Sequence, residues 1–412
     1  SYKDRDPFYN FIGTPKASSN DENVKDLRFG TAVGPSDLDP QDAWDSASFD
    51  VIENICEGLF SYNLSDPNLP ITPTLAADFG TWSGYNYTVN LRDNVKFHDG
   101  SEFNADDVIW TFNRLENLIS LHKAKAVELY EYYDPDLGAK RKVIKDIYKI
   151  DADTVKFELN TGYGPFEALL CFEGSYILAE GSAPINDNLN TTSDDLIGTG
   201  PWDYISYEPD EEVRFEGFND YWQGSPYFDE LIFHIIPDKD ARNQAMLNGS
   251  VDILSSPDPE YFSSFNSSDN TYLHYDGPYT AISYLGMNNH LINVTIRKAI
   301  SYTIDYDYIL ENVLSGYGDR LRSPVPQGIR FSNYSFNVAT LNITKARLAM
   351  QSAGFGVGQD VSSANDAWWE SQTFLSYNYT YNIGNEVRSN LLDVLQNNLS
   401  SIGIQVEDIG TT

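Results

Sequence analysis

The sequence predicts an α/β protein of two or three domains built on mixed sheets, and three observations carry that prediction. Its 412 residues exceed what a single hydrophobic core usually organises. Hydrophobic residues make up 41%, which is ample for burial and too much for wholesale disorder. Short runs with a period of two are interspersed with stretches of helical spacing, in no strict strand-helix order.

Residues 1–26 are polar, with Pro, Ser, Asn and Asp, and read as an arm ahead of the first strand, LRFGTAVG. After Pro40, the residues Phe49, Ile52, Ile55, Leu59 and Phe60 fall on one face of a predicted helix. SYNLSDPNLPITP is a loop. From Tyr85 the chain alternates, with Tyr85, Tyr87, Val89 and Leu91 on one side of a half-buried strand. Val95 and Phe97 make a second short strand, closed by the turn His98-Asp99-Gly100. Asn104 caps a helix, with Asp107 three residues on and Val108, Ile109, Phe112, Leu115 and Leu118 as its apolar stripe. A charged, Tyr-rich segment over 120–145 leads to a strand through Val155, Phe157 and Leu159. The Gly-, Pro-, Asn- and Ser-rich run 181–201 reads as a boundary. Strands follow at VRFEGF and LIFHIIP, then a helix from Asp240 to about Asn248. Further helices are predicted at 293–314, 342–353 and 385–402, and a last strand at IGIQVEDI. There is no internal repeat.

Charge excludes several function classes. With 27 Lys+Arg against 61 Asp+Glu the formal net charge is −34, which repels phosphate backbones and anionic lipid head groups. A solvated surface is the plain reading of that charge; a preference for cationic ligands, or adaptation to acid or high salt, are the others. No run reaches the ~18–20 apolar residues that cross a bilayer. The chain starts without Met or a charged-then-apolar leader and reads as a mature chain whose export signal has been removed.

Ten Asn-x-Ser/Thr sequons, at Asn63, Asn86, Asn190, Asn248, Asn266, Asn293, Asn333, Asn342, Asn378 and Asn398, point outside the cell. With 35 Asn and 59 Ser+Thr, chance placement gives about five. The two cysteines, Cys56 and Cys171, lie in apolar stretches read as helical and are taken as buried free thiols, with a single disulfide as the alternative.

Nothing in the sequence argues for catalysis, a metal or a cofactor. The histidines His98, His122, His234, His274 and His290 form no metal-spaced pair and read as surface or turn residues. Gly354-x-Gly356-x-Gly358 follows a helix, so it is a helix stop and not a dinucleotide loop. Paired carboxylates are too common in so acidic a chain to nominate an acid/base couple. Aromatic residues say more: seven Trp and 28 Tyr suit stacking on a sugar or peptide, and the adjacent Trp368-Trp369 do not easily share one buried strand face.

Taken in order, five segments resemble the extracellular solute-binding proteins of dipeptide, oligopeptide and nickel ABC transporters (family 5). They are LDPQDAWDSASFDVIENICEGLFSY, PTLAADFGTWSGYNYTVNLRDNVKFHDGSEFNADDVIWTFNRL, the stretch 197–254 from IGTGPWDYISYEP, the stretch 284–329 from YLGMNNHLINVT, and QNNLSSIGIQVE. The resemblance runs from about residue 27 to the end. Asn94 departs from it, standing where the family usually has Gly in a strand-to-strand turn.

The resemblance implies a two-lobed, periplasmic-binding-protein-like clamshell (a Venus-flytrap) with an extra inserted subdomain. Lobe I would comprise 27–59 and 191–284, the insert 60–190, and lobe II 285–412, incomplete in this chain. The acidic residue that holds a peptide's amino terminus in oligopeptide binders would lie in the part that follows. The Gly-Thr-Gly-Pro turn at 198–201 would serve as a hinge. A peptide or oligosaccharide would lie between the lobes and stabilise the closed state. The contacts nominated are Trp44, Ser46 and Ser48 after the first strand, Tyr284 and Asn288 at the crossing, and Trp368 and Trp369. The partners would be a membrane permease and the remaining carboxyl-terminal part, with the protein tethered at the cell surface through a segment outside this chain. A structural, self-assembling surface protein on the same fold is the rival reading, and an enzyme the third.

Overall fold

The computed structural model describes residues 26–64, 66, 69–191, 196–254, 257, 259–267, 282–326, 329, 332–382 and 386–411, without the side chains of 259, 266, 267, 382, 386 and 411. The polar arm, Asp26 apart, and the side chain of Asn266 lie outside the described residues. Two compact units divide the chain, Ser1–His274 and Tyr275–Thr412.

The first unit has two cores. One lies on a mixed five-stranded sheet. Its strand β1 (Asp26–Thr31) runs parallel to β12 (Glu230–Ile235) and to β13 (Ile253–Leu254). Strands β10 (Trp202–Glu208) and β11 (Glu212–Gly217) continue beyond β12 as antiparallel neighbours. Helix α1 (Ser46–Ile55) buries Val51, Ile52 and Ile55 against Val213, Phe215 and Phe233.

The predicted helix through Phe60 is shorter than its apolar spacing implies. At Cys56 the backbone turns extended, and Gly58 packs so closely that a Cβ there would lie 2.7 Å from the Leu170 carbonyl oxygen. Leu59 and Phe60 therefore leave the helix and enter the second core, Phe60 as the start of strand β2 (Phe60–Tyr62). Strand β3 (Ile71–Pro73) pairs with it, so the Pro-rich loop is the end of a hairpin.

The second core lies between helix α2 (Ala105–Ser120) and an antiparallel sheet. That sheet is ordered β4 (Thr81–Ser83), β5 (Asn86–Asn90), β9 (Thr154–Leu159), β8 (Ile144–Asp151). The alternation at 155, 157 and 159 is buried as predicted, whereas Tyr85 is exposed. The capping box forms: the Asn104 side chain accepts from the first turn, and the Asp107 carboxylate accepts from the Asn104 N–H at 2.8 Å. Val95 and Phe97 are fully buried but hold only one bridge, Lys96 to Glu102, instead of a strand. The Tyr-rich segment contains helix α3 (Val127–Tyr130) and the hairpin β6 (Glu131–Asp134)–β7 (Ala139–Lys142). One-turn α4 (Phe166–Leu169) follows β9, and α5 (Lys239–Leu247) and α6 (Phe262–Ser267) complete the unit.

In the second unit the predicted helix 293–314 is split into α7 (Val294–Ser301), α8 (Tyr306–Tyr308) and a π turn, Ile309–Val313. The break has a cause. The Tyr302 carbonyl accepts from the Asn342 N–H at 2.7 Å, and the Asp305 side chain restarts the helix by accepting from the Tyr308 N–H. Helix α9 (Ile343–Ser352), α10 (Asp366–Glu370) and α11 (Glu386–Ser400) pack with the parallel pair β14 (Leu375–Asn382) and β15 (Ile404–Thr411). Neither α10 nor β14 is among the predicted elements.

In the first unit, α2 is fastened to the segment after β1 by an ion pair with both partners fully buried, Arg114 and Asp39. Arg114 Nη1 and Nη2 donate to the Asp39 carboxylate at 3.0 and 2.5 Å. The remaining guanidinium protons go to Gln41 Oε1, the Pro184 carbonyl and the Asp187 carbonyl. The carboxylate also accepts from the Gln41 and Leu189 N–H groups. Removing one partner strands the other charge in the interior. Arg114→Ala should therefore lower the stability of the protein by about 3–5 kcal/mol. A urea titration followed by circular dichroism checks this, with the exposed pair Lys96–Asp220 as control: Lys96→Ala should leave the midpoint nearly unchanged.

Candidate functional site

The site nominated from the sequence begins where β1 ends. Asp45 caps α1, its carboxylate accepting from the Ser48 N–H at 3.0 Å and the Ser48 hydroxyl at 2.7 Å. The same hydroxyl oxygen accepts from the Ser36 and Asp37 N–H groups, both at 3.1 Å. Ser48 is thus fully buried and ties the loop to the helix. Its nomination as a ligand contact is corrected, because a saturated, inaccessible hydroxyl has nothing left to offer a ligand.

That anchoring holds Trp44 and Ser46 at the surface. Trp44 is 54% exposed, and its indole edge meets Phe172 at a centroid distance of 6.0 Å. Phe49, in the helix's next turn, also meets Phe172 edge-on at 6.0 Å. Trp44 and Phe49 hold the two positions of a hydrophobic staple around the cap, so Phe172 completes an aromatic cluster at the helix entrance. Glu53 stands one turn further along α1. Burial of its carboxyl, then the hydrogen bond and like charge of Glu173, push it up to about 8. Phe172 and Glu173 lie more than 120 residues beyond Trp44, and no local pattern connects them.

The other nominated residues divide by burial. Tyr284 is 82% exposed, and Asn288 is exposed with its side-chain oxygen accepting from the His290 N–H. Trp369 is fully buried in the core of the second unit, its indole N–H donating to the Asp360 carbonyl at 2.8 Å. Trp368 is half-buried against it at 5.3 Å, edge to face. The pair sits on one helical turn, not a strand, so successive side chains can both turn inward. Trp369 is corrected to a core residue.

The Gly-Thr-Gly-Pro turn is also corrected, because it is clamped inside the first unit. A Cβ on Gly198 would lie 2.1 Å from the Ile55 carbonyl oxygen, and one on Gly200 2.7 Å from it. Thr199 donates to Glu57, which also accepts from Tyr221 and Trp222. Burial raises the Glu57 pKa, and these three donors with Arg92 oppose the rise. His98 holds the other side: Nδ1 accepts from the Gly198 N–H, and Nε2, carrying the proton, donates to the Gly200 carbonyl at 3.0 Å. His98 lies in the turn expected for it, but its side chain is buried rather than at the surface. Both cysteines are free and buried, and burial raises both thiol pKa values. Cys56 is the residue at which α1 ends and Cys171 follows a one-turn helix, so neither lies within the longer helices expected.

An open depression of about 490 Å³ lies elsewhere on the first unit, lined by the β2–β3 hairpin with Trp222 and Gln223. It contains none of the nominated ligand contacts. Among the described residues no group of three His, Cys, Asp or Glu is arranged to hold a metal ion.

Residues 70–408 match the sequence model of bacterial extracellular solute-binding proteins, family 5 (middle part). The dipeptide-binding protein of Escherichia coli K12 is 29% identical over 297 residues, 69% of this chain and 54% of that protein. The oligopeptide-binding protein AppA of Bacillus subtilis 168 is 26% identical over 408 residues, 95% of this chain and 70% of that protein. The match thus spans about half the length of the first relative. The solved structure of Bacillus subtilis AppA in complex with a nonapeptide is similar at a TM-score of 0.76 and 24% identity, covering 94% of this chain and 74% of that chain. That likeness establishes the two-lobed α/β fold with mixed sheets.

The clamp generates a pH prediction. Burial lowers the His98 pKa in the folded protein, and it outweighs the Gly200 hydrogen bond and the nearby Asp203 and Asp99, which act the other way. The unfolded chain takes up this proton near pH 6.5 and the folded one only below that. Stability contributed by neutral His98 is therefore full above about pH 6.5 and is lost as the pH falls towards the lowered value. Urea midpoints at about pH 7.5 and about pH 5.5 should differ more for the native sequence than for His98→Gln.

Proposed function

The chain belongs to the bacterial extracellular solute-binding proteins of family 5, and on that footing we propose that it captures short peptides outside the cytoplasm for an ABC transporter's membrane permease. The observation that carries the reading is the family match over 70–408, in a chain whose relatives above are named for binding dipeptides and oligopeptides. The exposed indole of Trp44 beside Phe172 and the Glu53–Glu173 pair supports it locally. Such a surface offers a flat apolar face to a side chain and negative charge to an amino terminus.

Trp44 and Ser46 on the first unit, and Tyr284 and Asn288 on the second, remain the candidate contacts, with Trp368 a weaker one. An oligosaccharide is the competing ligand class, and it loses support with Trp369 in a core. The role involves no bond-making step, and the ligand is released unchanged. The structural surface-protein reading gains nothing from relatives that are named as binding proteins. The division into a lobe of 27–59 and 191–284, an insert of 60–190 and a second lobe from 285 is supported by separate cores: one holds residues from 59 to 179, another 38–56 with 178–233. Among the described residues no helix is long and apolar enough to cross a membrane.

Isothermal titration of protein purified from its source, with di- to nonapeptides and with oligosaccharides of similar size, tests the proposal. Peptides should bind, and Trp44→Ala should weaken them about tenfold or more while lowering the thermal midpoint by only a few degrees. Binding of oligosaccharides alone, or unchanged peptide affinity in Trp44→Ala, would overturn the ligand class or the site respectively.

A further inference from the structure

The ten sequons are alike in sequence, but folding makes them chemically unlike. N-linked modification uses the side-chain amide nitrogen, so that atom must reach solvent and be free of competing hydrogen bonds. Asn248, Asn293 and Asn333 are exposed and share one geometry. In each, Oδ1 accepts from the backbone N–H two residues on: Ser250, Thr295 and Ser335, all at 2.9 Å. The Ser250 and Ser335 hydroxyls donate to the same oxygen, at 2.6 and 2.7 Å. Oδ1 is thereby fixed inward and Nδ2 is left unengaged among the described residues. Donors on Oδ1 also stabilise the negative charge that the amide gains as its nitrogen loses a proton.

Two of the other sequons, at Asn398 and Asn86, lack this arrangement. Asn398, in the last turns of α11, is half-buried, and its Nδ2 is fully buried with no partner. A saccharide on that atom would have to displace the core beneath the helix. The Asn86 Nδ2 already donates to the Ser83 carbonyl.

We propose that Asn248, Asn293 and Asn333 carry N-linked saccharides in the mature protein and that Asn398 does not. The donor is a lipid-linked saccharide phosphate, supplied with its transferase by the host. The Nδ2–C1 bond forms as the C1–O bond to phosphate breaks. The phosphate leaves with that electron pair, and Nδ2 gives one proton to a base of the transferase. At Asn293, which caps α7, the modification spares the cap, because the capping atom is Oδ1 and the modified one is Nδ2.

Peptide-level mass spectrometry of the protein made in its own host tests the assignment. The three peptides should each appear heavier by a saccharide, and the Asn398 peptide should appear bare. Ser250→Ala, Thr295→Val and Ser335→Ala, made in the same host, remove the hydroxyl and keep the Asn; each should return its own peptide to the bare mass. A bare peptide at any of the three sites, a saccharide at Asn398, or a saccharide that survives removal of the hydroxyl would overturn the proposal.

Discussion

The first unit depends on one interior contact, the guanidinium of Arg114 against the carboxylate of Asp39. Both are fully removed from solvent, which is costly for two charges unless every donor and acceptor is used. Here every donor is. The five guanidinium protons reach Asp39, Gln41, Pro184 and Asp187, and the two carboxylate oxygens also take the N–H groups of Gln41 and Leu189. Three separate parts of the chain meet there: the segment after β1, the middle of α2 and the loop before β10. Moving α2 or the segment after β1 would leave a buried charge unpaired, and moving the loop would leave buried donors and an acceptor unsatisfied.

What that anchor fixes, the surrounding polar contacts refine. Asp45 and Ser48 join the same segment to α1, and Trp44 and Ser46 stand exposed beside that junction. On the far end of α1, Glu57 and His98 grip the Gly-Thr-Gly-Pro turn from two sides, and the close approach of Gly198 to Ile55 leaves no room for a side chain. The turn is a tight seam between the two cores of this unit. Any change of shape needed for capturing a ligand would have to be accommodated elsewhere.

The second unit solves a similar problem with a similar part. Arg347, on α9, is fully buried and donates to the carbonyls of Ser401 and Ser362 while pairing with Asp366 at 2.7 Å. Its guanidinium lies 5.4 Å from the ring of Trp369. As with Arg114, a planar fork of donors holds loop carbonyls, but less completely, because Nη2 is buried without a partner among the described residues. Trp369 is the apolar half of that arrangement, which accounts for an indole so sheltered in a chain otherwise rich in exposed aromatics.

Periodicity and capping chemistry are local, and they were legible in the sequence. The alternation around Val155, the capping box at Asn104 and Asp107, and the helix ending near Ala353 depend on residues within a few positions of each other. The ordered motifs also carried the family. The length of α1, the burial of Trp369 and His98, the break after α7 and the pairing of β14 with β15 were decided by tertiary structure. Each turns on a partner distant in sequence: Leu170 for Gly58, Asp360 and Arg347 for Trp369, Gly198 and Gly200 for His98, and Asn342 for Tyr302. The candidate site divides along the same line. An exposed indole after the first strand could be nominated from order along the chain, but Phe172 and Glu173 reach it only because α1 and the 310 turn Glu173–Ser175 pack together. Sequence patterns report what a segment prefers; which of those preferences survive is set by the neighbours that folding brings to it.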